Sequence, residues 1–179
     1  GFDRVIFPAD RVRLMEMRQQ RRQQNLSTDA RGQWVDGQPS EGHDQENLER
    51  WRIERGWPGP GELRGDTNPF ELGLTSWVSL TKGCYLGQET MAKLASRDGV
   101  KQQLRFWECS EAVAIDERLS HGDERAGVVT SAMHDRQRQR WIGLALIRRH
   151  LLEVTQLIGP KGQALSISRP KGVEDPPQS

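Results

Sequence analysis

One short segment of the sequence, residues 81–89, concentrates the groups that could do chemistry. It places the thiol of Cys84 between two glycines, which let the backbone turn sharply and let another group approach closely. Lys82 would lower the pKa of this thiol if the two lie within a few ångströms, and Tyr85 adds an aromatic face with a hydroxyl. The pattern allows a usable thiolate, but spacing alone rather favours an inert buried thiol in an apolar surrounding, as most lone cysteines are structural.

A second candidate is the carboxylate of Glu54, at the end of a predicted helix. The spacing of apolar residues predicts a helix over Leu48–Gly56, with Gly56 as its C-terminal cap and a Gly/Pro turn after it. At such a helix end Glu54 could face a pocket and accept two hydrogen bonds from adjacent N–H groups of a heterocycle. The alternative is an ion pair on the helix surface.

Other kinds of site find little support in the sequence. The two cysteines, Cys84 and Cys109, lie far apart without a CxxC pair, and the four histidines are scattered. We therefore expect no metal site built by this chain alone. No Ser/His/Asp arrangement or phosphate-binding glycine loop is present in the sequence. So few cysteines are typical of a reducing compartment.

The charge balance restricts the partners. The sequence has 26 Lys and Arg against 25 Asp and Glu, which excludes a general polyanion binder. The basic run Arg18–Asn25 could contact phosphates, but its composition favours a solvated helix end or disorder. No apolar stretch reaches the roughly 20 residues that span a bilayer, so we expect no transmembrane helix. The first residues also lack the layout of a signal peptide.

The second half of the sequence predicts a β domain that would support such a site. Short apolar runs separated by turn residues are typical of a small antiparallel barrel or sandwich, with Leu144–Ile147 as its central strand. We also predict a short strand over Trp77–Leu80, a helix over Thr90–Leu94, and a linker or long loop over residues 27–47. The apolar runs are Leu104–Trp107, Val113–Ile115, Gly127–Ala132, Trp141–Ile147 and Ala164–Ile167.

Three of these segments resemble the motifs of one protein family. Lys82–Glu89 is similar to the K-G-C-Y-x-G-Q-E signature of the YgfZ family, the folate-binding relatives of the glycine-cleavage T-protein. Arg52–Gly56 resembles the R-x-E-x-G segment of that family, and Asn68–Leu74 resembles its N-P-x-E-x-G-L segment. The three segments follow one another in the same order as in the family.

The resemblance implies an α+β fold, in which a remnant of the T-protein-like folate-binding domain precedes a small antiparallel Greek-key β-barrel. The partial folate-binding domain would occupy residues 1–100, with a shortened linker at about 18–47. The barrel would occupy residues 101–168, and residues 169–179 would form a disordered tail. Most of the first domain of the family is absent, so the chain is expected to be an N-terminally shortened member.

The resemblance also implies a ligand and the residues that contact it. The ligand would be tetrahydrofolate or a derivative. Its pterin would contact Glu54, and one of its carboxylates would contact Arg97, whose guanidinium can donate two hydrogen bonds to a carboxylate. Tyr85 and Glu71 would complete the folate contacts. Cys84 would be the functional thiol, with Lys82 beside it.

The function implied is that of a cytoplasmic accessory protein. It would bind folate and support iron–sulfur client enzymes, including those that modify tRNA, without being an enzyme itself. Membrane association and direct nucleic-acid binding are not expected. Two alternatives stay open: a tetrahydrofolate-dependent aminomethyltransferase of the T-protein type, and an interaction module whose Arg18–Arg22 cluster binds a partner or RNA.

Overall fold

The computed structural model of the chain describes residues 41–82, 87–96 and 99–175. The chain divides into two compact units, residues 1–47 and residues 48–179. Of the first unit, the structure describes residues 41–47, which are helical. The predicted strand and helix near the start of the sequence, and the basic run Arg18–Asn25, lie outside the described residues.

Among the described residues, two α-helices precede the β domain, α1 over Glu41–Arg55 and α2 over Gln88–Ser96. Helix α1 confirms the predicted helix and begins earlier, within the segment predicted to be a linker. It ends at Gly56, whose φ is +68°, with the Trp57 N–H donating to the Arg52 carbonyl at 2.9 Å. This is the glycine cap that the sequence predicts, because glycine adopts a left-handed conformation at low cost.

Six strands within residues 102–168 form a closed antiparallel barrel. Around the barrel the strands follow the order β1-β4-β3-β2-β5-β6, and β6 pairs with β1 to close it. The predicted antiparallel barrel is thus confirmed. The strands are β1 over Gln102–Cys109, β2 over Arg118–His121, β3 over Glu124–Asp135, β4 over Arg140–Arg148, β5 over Gln156–Ile158 and β6 over Ala164–Ser168.

Strand β4 is buried on both faces, which explains its unbroken apolar sequence. Ala145 and Ile147 belong to the cluster that fills the barrel interior, around Trp107. Leu144 belongs to a second cluster on the outer face, together with Ile53 of α1. The helix therefore covers the outer face of the barrel, and β4 lies between β1 and β3 as its predicted central position requires.

Two predicted strands have a different structure. Val113–Ile115 is a loop before β2, in which the buried side chain of Val113 joins the interior cluster of the barrel. Trp77–Leu80 forms no strand, because Trp77 ends a short 3-10 helix over Thr75–Trp77. The indole of Trp77 lies edge-on to that of Trp57, with ring centroids 5.9 Å apart.

Residues 169–175, which the sequence assigned to a disordered tail, pack against the rest of the unit. Val173 is only 3% exposed and belongs to the outer cluster with Ile53. The Gln103 side-chain amide donates to the Glu174 carbonyl at 2.6 Å. A buried apolar residue and several hydrogen bonds, among them those of the Gly172 and Glu174 N–H groups, thus hold a segment whose composition is that of a loop. In the part of the chain described, no helix is long and apolar enough to cross a membrane.

Candidate functional site

A buried network of polar groups joins the end of α1 to the barrel. The carboxylate of Glu62, which is fully buried, accepts hydrogen bonds from Arg52 Nη1 at 3.1 Å, the Gly59 N–H at 2.8 Å and Ser131 Oγ at 2.7 Å. Arg52 also pairs with Glu49, at 2.5 Å from Nη2. Glu62 thus ties helix, loop and strand together, and each hydrogen bond to its charged group is strong.

The loop of residues 57–67 lies directly on β3 because it contains glycine at the closest point of approach. A Cβ atom on Gly61 would lie 2.1 Å from the Thr130 carbonyl oxygen, which no side chain tolerates. Thr130 is the extra residue of a β-bulge, where the register between β3 and β4 shifts. The bulge and the glycine together bring loop and strand into contact.

Next to this contact lies a cavity of about 270 Å³. Its wall contains the buried or half-buried residues Gln102, Val128, Thr130 and Leu146 of the barrel, and its rim is formed by exposed charged residues. The cavity is lined by Gly61, Arg64, Asp66, Thr67, Gln102, Asp116, Arg125, Val128, Thr130 and Leu146.

The four charged residues of the rim differ in their partners. Arg64 pairs with Asp116 across the mouth of the cavity, and this hydrogen bond raises the pKa of the Arg64 guanidinium. The backbone of Asp116 is left-handed, with φ of +70°, a conformation that Asp tolerates better than most residues. Within the part of the chain that the structure describes, Asp66 and Arg125 make no side-chain hydrogen bond or ion pair.

Glu71, one of the predicted folate contacts, is buried close to this cavity. Its side chain is only 7% exposed, and its carboxylate accepts the Asn68 N–H at 3.2 Å. Burial raises the pKa of the Glu71 carboxyl, while hydrogen bonds from Asn68 and from the Gln102 side chain oppose the shift. Gln102 also lines the cavity, whereas Glu71 is not among its lining residues.

Glu54, the predicted pterin contact, lies at the end of α1 and outside the lining of this cavity. Its Oε1 is 2.7 Å from Nη2 of Arg138, in the turn between β3 and β4. This atom is also without a partner in hydrogen-bond geometry, so the ion pair leaves part of its acceptor capacity unused. The Glu54 side chain as a whole is 35% exposed, although this oxygen is buried. An ion pair of Glu54 is what the alternative interpretation of the sequence expects. Its partner, Arg138, however belongs to the barrel and not to the helix.

Of the predicted thiol segment, the structure describes the two ends. Lys82 is exposed, and its backbone N–H donates to Ser79 Oγ at 3.1 Å. The side-chain amide of Gln88, the first residue of α2, donates to the Leu80 carbonyl at 3.0 Å and to the Lys82 carbonyl at 3.3 Å. Gln88 thus ties the start of the helix to the chain before the segment. Cys84, Tyr85 and Arg97 lie outside the described residues.

The other cysteine and the acidic residues define no further site. Cys109 is 1% exposed and packs in the barrel interior, where it is a structural residue. Among residues 41–82, 87–96 and 99–175, no group of three or more His, Cys, Asp or Glu side chains could hold a metal ion.

The sequence analysis did not select the residues that form the buried network and the cavity rim. Glu62 carries the clearest signal, since a carboxylate directly after a Gly/Pro turn is a candidate cap or anchor. Arg64, Asp66 and Arg125 are charged residues in exposed segments, and such residues are usually solvated. What brings them together is the pairing of distant segments, which their local pattern does not contain.

The fold has a known counterpart among solved structures. No family model matches the sequence. The crystal structure of the glycine cleavage system aminomethyltransferase T from Bartonella henselae is similar with a TM-score of 0.58 and 20% identity. The likeness covers 72% of this chain and 38% of that one. This chain has a T-protein-like fold.

A curated protein is similar in sequence. A chloroplastic protein of Arabidopsis thaliana, named as a "putative transferase", is 34% identical over 107 residues. The match covers 59% of this chain and 25% of the Arabidopsis protein. The chain therefore spans about a quarter of the length of this relative and less than half of the structural neighbour.

Proposed function

We propose that this chain belongs to a folate-binding accessory protein of the YgfZ type, which supports iron–sulfur enzymes, including those that modify tRNA. The observation that carries the proposal is the segment Lys82–Glu89, with its single thiol between two glycines, on a chain with a T-protein-like fold. The similarity to a protein named as a transferase and to an aminomethyltransferase supports the folate-related ancestry. The proposed place of action is the cytoplasm.

In this proposal the pterin of tetrahydrofolate contacts Glu54. The Glu54 side chain is 35% exposed, so it is partly accessible to a ligand that presents N–H groups. Glu71, Tyr85 and Arg97 are the further proposed folate contacts. Glu71 fits such a role through its raised pKa, because a buried carboxyl that is easily protonated can donate as well as accept a hydrogen bond.

The proposed function of Cys84 depends on the segment that presents it. Lys82, Glu89 and Thr90 on either side of the segment are exposed, and the Gln88 amide fixes the distance between the two ends. The proposed role of the Cys84 thiolate is thiol chemistry or a transient contact with a client protein or its cluster.

Complementation in cells tests the proposal. A strain that lacks the gene, and shows lower activity of its iron–sulfur enzymes, is supplied with the full chain or with Cys84→Ala. We expect Cys84→Ala to accumulate normally and to leave the enzyme activities low, while the exposed control Thr81→Ala restores them. Full restoration by Cys84→Ala would refute the proposed role of the thiol.

The second candidate is an aminomethyltransferase that uses tetrahydrofolate, and the names of both similar proteins favour it. Such an enzyme would consume tetrahydrofolate in the presence of an aminomethyl donor, and Cys84→Ala would retain that activity. The accessory protein would bind tetrahydrofolate without consuming it. Measuring tetrahydrofolate over time with purified protein therefore distinguishes the two functions.

A further inference from the structure

The cavity between the 57–67 loop and the barrel has a rim whose charges are only partly neutralised. Arg64 and Asp116 form one ion pair at its mouth. The two remaining charged groups, Arg125 and Asp66, make no side-chain hydrogen bond or ion pair among the described residues, and Asp66 acts on Arg64 only electrostatically, in the direction that raises the pKa of Arg64. The rim therefore offers one cationic and one anionic contact at the same time.

The wall of the cavity combines apolar surface with an unsatisfied hydroxyl. Val128 and Leu146 present aliphatic side chains, and Leu146 is 8% exposed. Thr130 is 5% exposed, and its Oγ1 is buried without a hydrogen-bond partner. A buried polar atom without a partner is costly, so its presence in the wall of a cavity points to a ligand that supplies the missing partner.

We propose that this cavity binds a small zwitterion with an apolar body, the chemical class of the aliphatic α-amino acids. Arg125 binds the carboxylate, Asp66 binds the ammonium group, and Val128 and Leu146 pack against the apolar body. Of the proposed folate contacts that the structure describes, neither Glu54 nor Glu71 lines the cavity.

The charge pattern decides between ligand classes. The two carboxylates of the rim would repel a simple anion, and its two guanidinium groups would repel a simple cation. A zwitterion satisfies both free charges without adding net charge. The volume of about 270 Å³ is below the range of about 300–1,000 Å³ that is usual for drug-sized ligands, and it suits a molecule of amino-acid size.

The test is a nuclear magnetic resonance titration of the full chain with L-leucine at millimolar concentration. Two analogues isolate the charges: 4-methylpentanoate lacks the ammonium group, and 3-methylbutylamine lacks the carboxylate. We expect saturable binding of leucine and at least about tenfold weaker binding of each analogue, since each loses a hydrogen bond to a charged group. Glycine, which lacks the apolar body, should also bind more weakly than leucine.

Variants locate the site. We expect Arg125→Gln and Asp66→Asn each to weaken leucine binding by about tenfold or more. Matched controls are Arg118→Gln and Asp123→Asn, exposed barrel residues outside the cavity lining that lose the same charges. They should bind leucine as the unmodified chain does. Circular dichroism checks that each variant is folded.

Three results would overturn the proposal: no saturable binding of leucine, equal binding of leucine and either analogue, or equal binding by the Arg125 and Asp66 variants and their controls. Tetrahydrofolate is titrated separately. If it displaces leucine, the cavity belongs to folate and the amino-acid assignment is wrong. If leucine binds and tetrahydrofolate binds nowhere on the chain, the proposed folate function fails while this inference stands.

Discussion

Replacement of Glu62 tests whether the buried network holds α1 and its loop against the barrel. Its carboxylate accepts three hydrogen bonds, and one donor is the charged guanidinium of Arg52. In Glu62→Gln the amide oxygen still accepts from Gly59 and Arg52, and the amide nitrogen faces Ser131 Oγ. In Glu62→Ala all three hydrogen bonds are lost, and Arg52 keeps Glu49 as its ionic partner.

The expected magnitudes follow from these contacts. Glu62→Gln removes the negative charge that faces Arg52. A hydrogen bond to a charged group contributes about 1.5–3 kcal/mol to the free energy of unfolding. The retained ion pair with Glu49 places the expected loss at the lower end of that range. Glu62→Ala removes one partner of a buried ion pair, which typically costs about 3–5 kcal/mol. The free energy of unfolding should therefore fall more for the alanine variant than for the glutamine variant.

Unfolding by urea, followed by circular dichroism, measures both losses without the salt screening that guanidinium chloride would introduce. The control is Glu111→Gln, an exposed glutamate outside the network, which should change the free energy of unfolding by less than about 0.5 kcal/mol. A loss below about 0.5 kcal/mol for Glu62→Ala, within the range of ordinary surface substitutions, would refute the reasoning.

Three further substitutions have defined outcomes. Gly61→Ala would place a Cβ 2.1 Å from the Thr130 carbonyl oxygen, so we expect a loss of at least about 1–3 kcal/mol in urea unfolding, and unchanged stability would contradict the close contact. Burial raises the pKa of Glu71 above 4.5, so its contribution to stability is fully present below pH 4.5 and is lost as the pH rises through the folded-state pKa. The stability of Glu71→Gln relative to the unmodified chain should therefore increase from pH 4 to pH 7, and a constant difference would show that the shift is absent. Glu54→Gln breaks an exposed ion pair with Arg138 and should cost about 0–1 kcal/mol, whereas a larger loss would show that the pair is structural.

The sequence predicts an element well where a local pattern and the tertiary contacts agree. Helix α1 ends at Gly56 as predicted, because a glycine after the last helical residue satisfies the carbonyl groups of the final turn. Strand β4 is evident because both of its faces are buried. Strands β2 and β5 escape detection, since each turns a single fully buried residue inward, Leu119 and Leu157.

The candidate site is less accessible to prediction, because its contacts join distant segments. The sequence indicates that Glu54 is a candidate ligand-binding carboxylate. It does not predict that Arg138, in the turn between β3 and β4, lies next to it. Likewise, Arg64 meets Asp116 only because the 57–67 loop lies on β3. Such pairings depend on the register of the barrel and on the β-bulge at Thr130, and neither has a signature in the local pattern.

Calorimetric titration of tetrahydrofolate tests the central proposal most directly, with the full chain and its Glu54→Gln variant compared in the same buffer. We expect saturable binding by the unmodified chain. The variant should bind more weakly by about 1.5–3 kcal/mol, the value of hydrogen bonds to a charged carboxylate. The control Glu111→Gln should bind as tightly as the unmodified chain. Equal affinity of the Glu54 variant, or no saturable binding by any form, would contradict the proposed folate site.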